Sequence, residues 1–210
     1  MRKVIITITL SMAVVAGTQL PVRAGTNFEG PNYHWESAYN HTDPYAQTLR
    51  AFAVHDRTNN PAFQANIYAH VRQWNDIRAK YNMGLPWEQL FTDSNSPCYQ
   101  PASGEATVCM GSSAQVGSNH TGITSVNFLD AGTGYGYHIH STLTLINNSK
   151  NWSDNTLRQN VICHELGHAA GLGEGADGAS CMWPVQTRNT WYGNDDNYTL
   201  NLLYAHAPNQ

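Results

Sequence analysis

The segment HELGHAAGLGE, which begins at His164, constrains this chain more than any other stretch, because it specifies both a helix and a cluster of side chains on it. On an α-helix, His164 and His168 lie one turn apart on the same face, so both imidazoles can reach one metal ion. Glu165 is displaced by about 100° around the helix and lies at the rim of that face. This geometry suits a zinc ion with a bound water, whose proton the carboxylate accepts.

The residues after the second histidine predict how the helix ends. Gly171 can adopt the left-handed conformation that stops a helix abruptly, and Gly173 loosens the turn that follows. The chain can then swing back, so that Glu174 reaches the same metal ion as a carboxylate ligand. Asp177, three residues later, is the rival for the position of third ligand, and we favour Glu174.

A methionine follows Glu174 by eight residues, at Met182 in the sequence CMWP. With this methionine, the segment resembles the extended signature of the metzincin zinc proteases, in which HExxHxxGxx precedes a third ligand and a turn that contains methionine. The methionine spacing is similar to that of the matrix metalloproteinases, and the chain size is similar to that of the snapalysin-type bacterial proteases. Glu174 departs from both, since the former have histidine and the latter aspartate at the third position.

The resemblance implies an exported zinc endopeptidase with one catalytic zinc ion and a protein or peptide substrate. Glu165 would be the general base, and Met182 would form a hydrophobic floor under the zinc ligands. Residues 184–192 would line a pocket for a substrate side chain, and Tyr192 could donate to the oxyanion. The implied metal ligands are His164, His168 and Glu174.

Periodicity and turn residues predict a single α+β domain over residues 49–210. The resemblance adds a twisted mixed sheet, two long helices, a Met-turn and a C-terminal helix, with a substrate peptide lying antiparallel to an edge strand around residues 137–144. On that strand the pattern places Leu143 and Leu145 on one face and Thr142 and Thr144 on the other. The predicted elements are strands at 49–56 and 135–147 and helices at 60–84, 155–170 and 194–206.

The N-terminal residues predict export. Residues 1–24 combine a basic start, an apolar run and a small-residue cleavage pattern, which indicates a signal peptide. Residues 25–48 form an irregular N-terminal segment or a short prosegment. The secreted, extracellular location favours two disulfides among the four cysteines, and of the three pairings we prefer Cys98–Cys109 with Cys163–Cys181.

Composition excludes some partners and leaves one alternative function. The net charge of −4 and the absence of basic runs exclude a typical nucleic-acid binder. We expect a monomer that contacts no membrane after signal cleavage. Calcium could bind at residues 130–136 or 194–196, although a turn and a helix cap explain these segments better. The alternative to a protease is a secreted binding or adhesion module with a structural or vestigial zinc site.

Overall fold

The computed structural model of the chain has an α+β architecture, as the sequence predicts, with a mixed sheet and four helices among the described residues. The residues that the structure describes fall into several ranges, which are 34–35, 52–81, 87–92, 98, 101, 104–129, 138–175 and 178–204.

Among the described residues, each of the first three pairs of consecutive strands is followed by a helix, and a fourth helix ends the series. The strands are β1 (His34–Trp35), β2 (Phe52–Arg57), β3 (Trp87–Thr92), β4 (Glu105–Gly111), β5 (Gly122–Leu129) and β6 (His138–Asn147). The helices are α1 (Pro61–Tyr81), α2 (Ser113–Val116), α3 (Asn155–Ala169) and α4 (Asn194–Tyr204).

The sheet has the strand order β3, β2, β4, β6, β5, with β1 beside the first residues of β6. Neighbouring strands are parallel except for β5, which runs antiparallel to β6. The expectation of an edge strand around residues 137–144 is therefore wrong for the described part of that range, because β6 pairs with β4 on one side and with β5 on the other. Among the described residues, β5 is the edge strand at this side of the sheet.

Helix α1 begins where the sequence predicts it. The Asn60 side chain accepts a hydrogen bond from the amide of Ala62 at 3.0 Å, which satisfies one of the free donors of the first turn. Its apolar residues at three- and four-residue steps, from Phe63 to Trp74, are buried in the core. The predicted end at Gly84 lies outside the described residues.

Helix α3 is capped by Asp154, whose carboxylate accepts hydrogen bonds from Thr156 and Leu157. All residues from 160 to 169 are buried, because the helix packs against α1 on one side and against β5 and β6 on the other. A helix buried all round needs a partner for each of its polar side chains.

The end of α3 confirms the role predicted for Gly171, which has a φ of 93°. The amide of Leu172 donates to the carbonyl of Gly167 at 3.0 Å, and that of Gly171 donates to the carbonyl of His168 at 3.0 Å. This pair of bonds is a Schellman motif, which requires a left-handed residue after the helix and reverses the chain direction. The next residues are thereby directed back along the helix.

The two faces of β6 separate Thr142 and Thr144 from Leu143 and Leu145, as the pattern predicts. Thr142 and Thr144 are fully buried, whereas Leu143 and Leu145 are only half-buried. The polar face of this strand is the inner one, and Thr144 makes a hydrogen bond there to Thr124 of β5.

Both predicted disulfides are confirmed, and the described residues contain no free cysteine. Cys98 and Cys109 have Cα atoms 6.1 Å apart, and Cys163 and Cys181 have Cα atoms 5.9 Å apart. The second bond ties the middle of α3 to the residue that precedes Met182. No helix among the described residues is long and apolar enough to cross a membrane.

The predicted signal peptide at 1–24 lies outside the described residues, as does most of the segment at 25–48. Two residues of that segment, His34 and Trp35, form β1 and pair with β6.

Candidate metal centre

The three predicted ligands converge at one point. His164 and His168 are on α3, and Glu174 is brought back by the turn at the end of this helix. The Nε2 atom of His164 is 3.7 Å from Glu174 Oε2, and that of His168 is 3.8 Å from Glu174 Oε1. Among the described residues, these three form the one group of His, Cys, Asp or Glu side chains that could hold a metal ion.

Hydrogen bonds to backbone carbonyls orient both imidazole rings. His164 Nδ1 is 2.9 Å from the carbonyl oxygen of Cys181, and His168 Nδ1 is 2.8 Å from that of Leu172. Because a carbonyl only accepts, each Nδ1 carries the proton and each neutral ring presents a bare lone pair at Nε2. The two Nε2 atoms are 2.9 Å apart, so two lone pairs face each other beside a carboxylate.

Burial keeps the two imidazoles neutral. Desolvation lowers the pKa of His164 well below its ordinary value, and the neighbouring His168 lowers it further. Burial also lowers the pKa of His168 to about 4. A proton shared between the two rings is therefore disfavoured at neutral pH, and both rings are in the form that binds metal ions.

The Glu165 side chain is fully buried, and the Glu174 side chain is half-buried. Burial raises the pKa of Glu174 to about 7 and that of Glu165 to about 8; a hydrogen bond from Thr124 lowers the latter and the charge of Glu174 raises it. Glu165 Oε1 and Glu174 Oε2 are buried without a hydrogen-bond partner. A cation between the histidines and Glu174 would satisfy Glu174 and would favour the ionised form of both acids.

The loop that carries Glu174 is held from beneath by Met182. The amide of Gly175 donates to the carbonyl of Met182 at 2.7 Å. A Cβ atom at Gly167 would overlap the Met182 sulfur, so this sulfur packs directly against the backbone of α3 between the two histidines. The rival ligand, Asp177, lies outside the described residues.

The structure contradicts the suggestion that Tyr192 donates to an oxyanion. Its hydroxyl is buried on the far side of α3, 3.0 Å from His70 Nε2 and 3.3 Å from the carbonyl of Cys163. The indole N–H of Trp74 donates to the same hydroxyl at 3.1 Å. Tyr192 thus connects α3 to α1, and we call these three side chains the Tyr192 network.

Neither of the two segments considered for calcium shows a cation site among the described residues. Residues 130–136 lie outside the described residues. In the other segment, Asp196 is buried and accepts hydrogen bonds from the amide of Gly193 at 2.8 Å and from the hydroxyl of Ser180. Asp196 therefore caps the start of α4, which is the explanation that the sequence favours over calcium binding. The Ser180 hydroxyl in turn accepts a hydrogen bond from the amide of Met182.

The sequence patterns did not identify some of the residues that shape the site. Gly167 carried a signal, since glycine inside a helix is unfavourable by about 1 kcal/mol relative to alanine and indicates a close contact. Gly122 and Thr124 of β5 carried none, because their contact with Glu165 spans about forty positions and depends on the strand order.

Comparison with known proteins does not assign this chain to a family. No protein-family profile matches this chain, and a search of curated protein sequences finds no match. Inference about its function therefore rests on the residues and the geometry of the site.

Proposed function

We propose that this protein is a zinc-dependent endopeptidase of metzincin type, with His164, His168 and Glu174 as zinc ligands and Glu165 as the general base. The observation that carries the proposal is the convergence of two imidazole Nε2 atoms and the carboxyl group of Glu174, with both Nδ1 atoms already bonded to backbone carbonyls. Buried acceptors that face one another repel, and a bound cation removes that repulsion.

The donor set favours zinc over other common cations. Two neutral imidazoles and one carboxylate are an established catalytic zinc set, whereas calcium and magnesium prefer oxygen ligands. Ligand atoms at 2.0 to 2.2 Å from a tetrahedral ion lie roughly 3.3 to 3.6 Å apart. The two Nε2 atoms lie 2.9 Å apart, and they lie 3.7 and 3.8 Å from different oxygens of Glu174, which is close to this range.

We infer that Glu165 moves a proton beside such a metal, because its carboxyl group is buried near enough to Glu174 for the two charges to interact. When bound, zinc lowers the pKa of a water molecule and polarises the peptide carbonyl. The unpartnered Oε1 of Glu165 accepts the proton of the attacking water. The same carboxyl group then delivers that proton to the leaving amine, which restores the base for the next turnover.

Two features support the metzincin resemblance. The order of the elements along the chain, with a strand and long helix, further strands, the ligand helix and a terminal helix, is the order that the resemblance implies. Met182 packs under the ligand helix at Gly167, where a Met-turn would lie.

The substrate would bind along β5. This edge strand pairs with β6 on one side only among the described residues, so its outer backbone groups can pair with an extended peptide. Thr124 of β5 contacts Glu165, so a peptide on this edge would lie close to the general base. The two disulfides support the predicted export, because such bonds persist in oxidising compartments.

The test is cleavage of an unfolded protein by the zinc-loaded chain. We expect turnover that a strong chelator abolishes and zinc restores. Glu165→Gln should keep the fold and the zinc but lose at least about 10²-fold in kcat, because the amide preserves shape and removes the base. Asp195→Asn makes the same chemical change on the exposed first turn of α4 and should be without effect. Near-normal turnover by zinc-loaded Glu165→Gln would refute the mechanism.

A further inference from the structure

The edge strand β5 contacts Glu165 through two residues of one face. Gly122 and Thr124 are two positions apart and therefore point to the same side of the sheet. Both meet the side chain of Glu165, which is fully buried and extends from α3 toward this strand. The general base of the proposed reaction is thus held between a helix and the strand on which the substrate would lie.

Gly122 provides space for the carboxyl group. A Cβ atom at this position would lie 2.7 Å from Glu165 Oε1, 2.8 Å from Cγ and 2.9 Å from Cδ. These distances are far below van der Waals contact, and the atoms belong to a side chain with no exposed surface. Gly122 is not among the glycines with positive φ, so the strand needs the absence of a side chain here and not an unusual backbone conformation.

Thr124 provides a hydrogen bond to one carboxylate oxygen. Its Oγ1 atom lies 2.8 Å from Glu165 Oε2 and 3.0 Å from the backbone oxygen of Glu165. The hydroxyl of Thr144 on β6 lies 2.8 Å from the same Oγ1. A hydroxyl has one proton, so the arrangement that best satisfies the carboxylate has Thr144 donating to Thr124 and Thr124 donating to Oε2.

The two oxygens of Glu165 therefore have different surroundings. Oε2 is fixed by a hydroxyl on a β-branched side chain, whose χ1 is restricted, within a paired strand. Oε1 is buried and has no hydrogen-bond partner among the described residues. This difference orients the carboxylate before any substrate is present.

We propose that Thr124 and Gly122 are positioning residues for Glu165, with Thr124 anchoring Oε2 and Gly122 leaving room for the carboxyl group, so that Oε1 is the oxygen that takes the proton. This inference rests on the proposed endopeptidase function. Strand β5 would then have two roles, because it would pair with the substrate and also orient the carboxyl group of Glu165.

The kinetic test removes the Thr124 hydroxyl with little change of shape. Thr124→Val should lower kcat on a peptide substrate by about tenfold or more, since a hydrogen bond to a charged group is lost, while KM changes by less than about twofold and zinc content stays full. Thr124→Ser keeps the hydroxyl and should restore most of kcat. Thr107→Val removes an equally buried hydroxyl from β4 of the same sheet and should leave kcat unchanged. Equal loss in Thr124→Val and Thr124→Ser, or full kcat in Thr124→Val, would overturn the role of the hydroxyl.

A stability cycle tests the Gly122 contact without activity. Gly122→Ala should lower the thermal denaturation midpoint by roughly 5 °C, because the added methyl group collides with the Glu165 carboxyl group. The same change in a Glu165→Ala background should lower it by far less. Gly178→Ala, where an added Cβ meets nothing within 4 Å, is the matched control and should be neutral. Equal shifts in the two backgrounds would overturn the contact.

The two tests separate failure of the inference from failure of the proposed function. Absence of turnover in the zinc-loaded wild-type protein would refute the endopeptidase and with it the catalytic purpose of the positioning, whatever the stability cycle gives. Turnover in the wild-type protein with no defect in Thr124→Val would refute the positioning alone.

Discussion

The two faces of α3 are equally buried but differ in how completely their polar groups are paired. On the far face, the Tyr192 hydroxyl, the His70 imidazole and the Trp74 indole are hydrogen-bonded to one another and to the helix backbone. On the site face, Glu165 Oε1 and Glu174 Oε2 have no hydrogen-bond partner among the described residues.

This difference indicates two roles for one helix. A fully satisfied buried network rigidifies the structure and needs no ligand. Buried acceptors without donors are unfavourable unless something binds them. We therefore expect substitutions on the far face to change stability with little effect on metal binding, and substitutions on the site face to do the opposite.

The largest stability effects should follow removal of the disulfides, which also separate the two roles. Replacing Cys163 and Cys181 by alanine should lower the free energy of unfolding by about 3 kcal/mol in the chain-entropy model, and replacing Cys98 and Cys109 should have a similar effect. Only the first pair should also weaken zinc binding, because the carbonyl of Cys181 orients His164. Denaturant unfolding and zinc titration of both variants would measure this, and equal zinc affinity in the two would contradict it.

A smaller effect is expected for the Tyr192 hydroxyl. Tyr192→Phe leaves His70 and Trp74 without their shared partner and should lower the free energy of unfolding by roughly 2 kcal/mol, with zinc content unchanged. Tyr198→Phe removes the same group from an exposed position on α4, where 63% of the residue is accessible, and should be neutral. A loss of zinc in Tyr192→Phe without a loss of stability would reverse the assignment of the two faces.

The effect that is smallest at neutral pH comes from His70, because it develops only on acidification. Burial lowers the pKa of His70 to about 3 from 6.5. The unfolded chain therefore binds a proton at His70 that the folded protein excludes, and acidification below pH 6.5 favours unfolding by up to about 1.4 kcal/mol per pH unit. In metal-free protein, His70→Gln should reduce the slope of stability against pH between 6 and 4. His120→Gln is a control at a half-exposed histidine, and identical slopes in wild type and His70→Gln would contradict the prediction.

Local features of the fold and the site were predictable from the sequence. The end of α3 at Gly171 and the return of Glu174 follow from residues within one or two turns of each other. The Cys163–Cys181 bond was predictable because both residues adjoin the segments that must meet at the site.

The rest depended on contacts between elements distant along the chain. The hydrogen bond between Tyr192 and His70 joins positions more than a hundred residues apart. The sequence alone did not distinguish this structural role of Tyr192 from a role as oxyanion donor. The inward direction of the threonine face of β6 could not be predicted from the alternation, which separates two faces without showing which one is buried. Thr144 is paired with Thr124 beneath Glu165, and polar residues are buried where they find partners. The edge position of β5 could not be derived from periodicity, which gives no strand order.

The central claim is that His164, His168 and Glu174 bind one zinc ion, and its most direct test is the zinc stoichiometry after dialysis against a mild chelator, with folding checked separately. We predict one zinc ion per chain in the wild-type protein and in Asp177→Ala, partial retention in Glu174→Asp and Glu174→His, and loss of zinc in Glu174→Ala. Full zinc content in Glu174→Ala with an emptied Asp177→Ala would move the third ligand to Asp177, and a wild-type protein that binds no zinc would contradict the account.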